Sequence, residues 1–187
     1  IPKEILKQNI KKNISLDYKY RSAQFGKKLR LRTLPFSVAK IIGFLFGIVQ
    51  SGAGYVIIAL NSTSVTYTTA IPTDVSIWSY AGYYIYFIFG LLLVNSYIEE
   101  LVTRAYPLEK LRAHINPHVI FTIMGIIFTA GHFIANEFSI GYSLSLFTYS
   151  YTLSLIYHYS SSLWLVIGVH SGINWVAFSF FGTNWKL

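Results

Sequence analysis

The chain has 187 residues, of which 53% are hydrophobic, 18% aromatic and only 12% charged, against about 25% charged in an ordinary soluble domain. That composition excludes a soluble globule and a disordered chain, and the absence of cysteine excludes disulfides, thiolate metal sites and a cysteine nucleophile. The net charge of +8 is concentrated at one end: residues 1–40 hold 11 of the 15 Lys and Arg and are net +9, while the rest is net −1.

Residues 1–37 read as a basic segment at the cytoplasmic membrane surface, ahead of a transmembrane domain over 38–187. Its expected partner is anionic lipid. Nucleic acid is not expected, because the interleaving of basic and aromatic residues that marks an RNA-binding module is missing. Within it, Ile5, Leu6, Ile10 and Ile14 line one face of an amphipathic helix from about Glu4 to Tyr20. The chain opens on Ile1 rather than Met, so an upstream piece is expected, and no cleavable signal peptide is visible.

Five apolar stretches follow, each near the ~20 residues a membrane span needs. They run roughly over Ile41–Leu60, Ile77–Ile98, Val119–Ala135, Ile140–Tyr157 and Leu163–Phe181. None alternates like a barrel strand, so an all-α polytopic helix bundle is expected. Gly43, Gly47, Gly52 and Gly54 in the first stretch, and Gly168 and Gly172 in the last, predict close helix approach. Loop 61–76 has no Lys or Arg, whereas the segment after the second stretch carries Arg104, Lys110 and Arg112. The positive-inside rule then places the N-terminus and the 104–117 segment in the cytoplasm. The second helix is expected to run on past Ile98 to about Arg112, turning at Asn116, because Pro117 disfavours helix there. Arg104 and Lys110 are expected to snorkel toward the aqueous side.

Ionisable groups inside spans are costly and point to function. Glu99 and Glu100 stand together, and Glu100 and Arg104 are spaced to share a helix face. Glu99 points about 100° away from its neighbour. Phe128 and His132, and His170 and Asn174, repeat the one-turn step. An antiparallel pair hinged near Asn116 puts Glu99 and His132 at one height, so Glu99, His132, His170 and Asn174 are expected to converge on one polar spot below the cytoplasmic surface. Glu137 and Asp74 fall in loops. His114, His118 and His158 read as interfacial. The tyrosines and phenylalanines of the fourth stretch read as lipid or packing surface.

In order, Glu99-Glu100-Leu101-Val102-Thr103-Arg104 looks like an EExxxR motif, Phe128-Thr129-Ala130-Gly131-His132 like FxxxH, and His170-Ser171-Gly172-Ile173-Asn174 like HxxxN. The set resembles the CPBP family of CAAX-processing intramembrane proteases and bacterial bacteriocin-immunity (Abi) relatives. The resemblance implies peptide hydrolysis within the membrane. It assigns Glu99 to water activation with His132 assisting, His170 and Asn174 to the oxyanion, and Glu100, Arg104 and Phe128 to support. Ala105, where relatives commonly have Gly, and Pro107 soon after it leave open a bend in that helix.

The chemistry is also sound without the resemblance: a carboxylate withdrawn from water is a stronger base, and an imidazole N–H and a carboxamide N–H are suitable oxyanion donors. Two His and a Glu are also a zinc-ligand set, but there is no HExxH, and Asn174 is a better donor than ligand. No metal cofactor is therefore expected, zinc being the alternative. The expected partner in the site is a peptide or membrane-protein substrate, in a multi-pass protein of a cell membrane, bacterial in the first instance. Two other readings use the same residues: a non-catalytic immunity or scaffold protein that keeps the fold, and a proton relay or transporter.

Overall fold

In the computed structural model, residues 34–61, 63, 75–134 and 138–180 are described. The basic segment up to residue 33, with its expected amphipathic helix, and the loop residues Asp74 and Glu137 lie outside them. The described residues form five helices and no strand. We label them α1 (Phe36–Leu60), α2 (Ile77–Leu111), α3 (Pro117–His132), α4 (Ile140–Ser160) and α5 (Leu163–Phe180). By length and composition, α1, α2 and α5 can cross a membrane. At 16 residues α3 is short, and α4, rich in Ser, Thr and Tyr, is outside that set.

Local chemistry sets the helix ends. The Ser76 hydroxyl accepts the Ser79 N–H at 3.2 Å and caps α2. Asn116 Oδ1 accepts the His118 N–H at 2.9 Å, with Pro117 as first residue of α3, so the expected turn falls where the proline requires it. Helix α4 ends on Ser161, held at φ 51°, a left-handed stop normally taken by glycine. As expected, α2 runs unbroken past Glu99 to Leu111, but not as a uniform α-helix. Its backbone widens to π-type hydrogen bonding over Phe87–Asn95 and again over Leu101–Ala105. The α-helical turn Ser96–Glu100 lies between them, and such widened turns are frequent at functional sites.

The described residues divide into two compact units. The first comprises residues 35–102 with the last helix, α5. Here α1 buries only Ala39, Gly43 and Gly47 and turns its large apolar side chains outward. A Cβ at Gly43 would overlap the Leu165 carbonyl oxygen, and one at Gly47 that of Val169. Reciprocally, Gly168 meets the Lys40 carbonyl and Gly172 that of Phe44. Contacts advance together along both helices, so α1 and α5 run parallel, backbone against backbone. In lipid, where burial supplies no hydrophobic drive, packing of this kind is what joins helices. Gly52 and Gly54 were expected to join it and do not: among the described residues nothing lies within 4 Å of a Cβ built at either.

The second unit spans residues 103–162. Here α3 buries Ile120, Phe121, Gly125 and Phe128 along one stripe, and α4 buries Leu146, Ser150, Leu153, Ser154, Tyr157 and Ser160. The Phe147 ring fills the gap over Gly125, and His118 Nδ1 shares a 2.7 Å hydrogen bond with the Tyr151 hydroxyl. The aromatic stripe of α4 is thus packing surface at Phe147, Tyr151 and Tyr157.

Candidate active site

Helix α5 is the most deeply embedded element, with every residue from Leu165 to Gly172 buried. His170 therefore projects where water is scarce, at 3% exposure. Its Nδ1 lies 2.7 Å from Glu100 Oε1, and Glu100 is wholly buried. Its Nε2 lies 3.7 Å from Glu99 Oε2. The ring is thus held edge-on between two carboxylates from successive residues of α2. The turn of about 100° between neighbours gives them different surroundings: one is sealed, whereas the Glu99 side chain keeps 27% exposure.

Glu99 is oriented from its own helix. Asn95 Nδ2 donates to Glu99 Oε1 at 2.7 Å, leaving Oε2 as the oxygen on the histidine side. The Ser171 hydroxyl donates to the Leu92 carbonyl at 2.5 Å. That bond ties α5 to α2 next to His170, at a carbonyl of the widened segment. Asn174 follows one turn after His170, half-buried, and its carboxamide has no hydrogen-bond partner among the described residues.

With Nδ1 turned to Glu100, it is Nε2 of His170 that faces the Glu99 side. To donate there the ring must carry a proton on Nε2. The Nδ1 contact is then made either by an imidazolium or by a protonated carboxyl, and both are compatible with a buried carboxyl–imidazole pair.

In the unit of residues 103–162, Arg104, Phe128 and His132 meet. Arg104 is fully buried, which corrects the expectation that it snorkels to water. Its Nη2 donates to the Ser150 hydroxyl at 2.8 Å, its Nη1 to Thr103 at 2.6 Å, and its guanidinium lies 4.5 Å from the Phe128 ring centroid. The protein offers it a hydroxyl and an aromatic face, so it has no need to reach the interface. The His132 ring lies 4.4 Å from that of Phe128. His132 Nδ1 lies 2.8 Å from the Phe128 carbonyl; a carbonyl only accepts, so Nδ1 carries the proton and, in the neutral ring, Nε2 is the basic nitrogen.

Within the unit of α1 and α5 the structure thus brings Glu99, Glu100 and His170 together with Asn174 one turn away, and within the unit of residues 103–162 it brings together Arg104, Phe128 and His132. Four further residues belong to these arrangements: Asn95, Thr103, Ser150 and Ser171. Only Asn95 had a legible signal, a carboxamide in an apolar run one turn before Glu99.

Residues 80–176 match the family described as type II CAAX prenyl endopeptidase, Rce1-like. The matched stretch contains all three motifs. No curated protein and no solved structure matches the chain.

Proposed function

The chain belongs to the type II CAAX prenyl endopeptidase, Rce1-like family, and from that premise we propose that it is a glutamate-dependent endopeptidase acting within the membrane near its cytoplasmic face. It is an integral membrane protein, with three helices able to cross and a family of intramembrane proteases. The observation that carries the reading is the His170 ring held between buried Glu100 and partly open Glu99.

In the proposed reaction Glu99 takes a proton from water as its oxygen attacks the peptide carbonyl carbon. The negative charge that develops on the carbonyl oxygen is met by an N–H of His170 and the carboxamide of Asn174. When the C–N bond breaks, the leaving amine takes up the proton held by Glu99, and the products are a carboxylic acid and an amine. Glu100 orients His170, Arg104 and Phe128 support the fold around His132, and His132 assists proton transfer. No metal takes part: His170 has a carboxylate on each ring nitrogen's side, and Asn174 is a donor by chemistry. The N-terminal segment lies in the cytoplasm against anionic lipid.

The test is cleavage of a farnesylated CAAX peptide by purified protein in liposomes. Glu99→Gln keeps shape and removes the base, so kcat should fall by about 10²–10⁴-fold with unchanged expression and melting. A chelator should leave the rate unaltered. Full activity in Glu99→Gln would remove the proposal, and protection or regulation in cells that survives loss of Glu99, His132 and His170 would favour the non-catalytic immunity or scaffold reading.

A further inference from the structure

Away from the candidate site, the unit of residues 103–162 gathers two histidines and an arginine at one end. Helices α3 and α4 run antiparallel there, so His118 and Phe121 at the start of α3 meet Tyr151 and His158 in the second half of α4. The buried Phe121 ring is the floor. The rings of His118, Tyr151 and His158 stand edge-on to it, with centroids 5.3, 5.5 and 5.7 Å away. Arg112, just past the end of α2, lies close enough that its charge and that of His118 both act on His158.

These groups are not neutralised by acids. Glu109 lies 2.6 Å from Arg112 Nη2 and belongs to that guanidinium, and no carboxylate pairs with either histidine among the described residues. His118 Nδ1 shares its 2.7 Å hydrogen bond with the Tyr151 hydroxyl. When that hydroxyl donates, the proton of the neutral ring sits on Nε2, which bonds to nothing among the described residues. The half-buried His158 ring makes ring contacts there and no hydrogen bond. Burial first, then His118 and Arg112, disfavour its charged form. Cationic donors crowded together repel one another, and an anion among them turns that repulsion into charge-assisted hydrogen bonds. The exposed face of α3 beside the cluster is apolar, with Val119, Ile123 and Ile126 outward. From His118 to Ile126 the helix rises about 12 Å. The ligand that suits both features has an anionic head and a hydrocarbon tail, and a membrane protein is surrounded by such molecules.

We propose that this end of the α3–α4 hairpin binds the phosphate headgroup of an anionic phospholipid, held by His118 Nε2, His158 and Arg112, with an acyl chain along the apolar face of α3. Bound phosphate favours the imidazolium form of both histidines, so the site takes up protons as it fills and tightens as pH falls. The assignment is independent of the peptidase reading.

The experiment measures binding of spin-labelled phosphatidylglycerol to the full chain in phosphatidylcholine bilayers at about pH 7.5 and about pH 5.5, values that bracket the ordinary histidine range. Lysine and arginine keep their charge across that interval, so the change in affinity separates the histidines from the basic N-terminal segment. Affinity should rise on acidification by about fivefold for each imidazolium gained. His118→Gln and His158→Gln should each remove part of the rise, and the double variant all of it. Arg112→Gln should weaken binding about fivefold at both pH values, and Arg112→Lys should restore most of that loss, a pattern that misfolding does not produce. Phosphatidylglycerol should also offset the acid-side fall in melting temperature of the native protein, and not that of the double variant. An acid-dependent rise that survives in the double variant, or no rise at all, would overturn the site. Inorganic phosphate that reproduces the effect in pure phosphatidylcholine would overturn the lipid as its occupant.

Discussion

At the scale of single residues, the chain places charge where lipid forbids it and satisfies that charge with short polar side chains. Arg104 illustrates the arithmetic. A buried guanidinium that loses a partner costs about 1–3 kcal/mol for each group left unsatisfied. Ser150→Ala should therefore lower stability by about that amount in a detergent melt. Arg104→Lys should destabilise more than Ser150→Ala, because an ammonium cannot bond two hydroxyls in a fork and stack on Phe128 at once. His158, past the apolar part of α4, gives a pH signature. Burial, followed by nearby His118 and Arg112, holds its imidazole below the ordinary value. The unfolded chain then takes up this proton at higher pH than the folded one. The contribution to stability is full above about pH 6.5 and declines as pH falls through that value toward the folded one. Melting of the native protein should drop as pH falls below about 6.5, and His158→Gln should flatten that part of the decline.

Among the elements, the α1–α5 pair is the most sharply specified. Leucine at Gly43 or Gly168 must push two backbones apart, so either variant should abolish the native fold, read as loss of a cooperative melt. Gly52→Ala meets open space and should raise stability by up to about 1 kcal/mol through helix propensity. The comparison also marks how far the sequence could be read. Glycine periodicity picked out both partners of the pair, but it could not say which glycines meet a backbone, so Gly52 and Gly54 were included although nothing among the described residues lies against them. The 100° rule separated Glu99 from Glu100, and the structure gives one an open and the other a sealed setting. Snorkelling of Arg104 failed as an expectation because Ser150 lies 46 residues away, and no local pattern announces a hydroxyl at that separation. The π-type turns flanking Ser96–Glu100 also escaped, since their widening depends on what packs against α2 rather than on composition.

For the molecule as a whole, composition and charge were enough to read a helical membrane protein, and three ordered motifs were enough to read its family, which the match over residues 80–176 establishes. Sequence spacing did not show that α1 packs along α5, two helices far apart along the chain. That same separation bears on how the protein is made. Among the described helices, α1 leaves the ribosome first and finds its glycine-matched companion in α5. Until translation has passed Leu163, α1 rests in the bilayer with its narrow face bare, and a nascent chain arrested earlier offers quality-control machinery an unmated segment. Completion of the candidate site is thereby deferred until the helix bearing His170 arrives and covers α1.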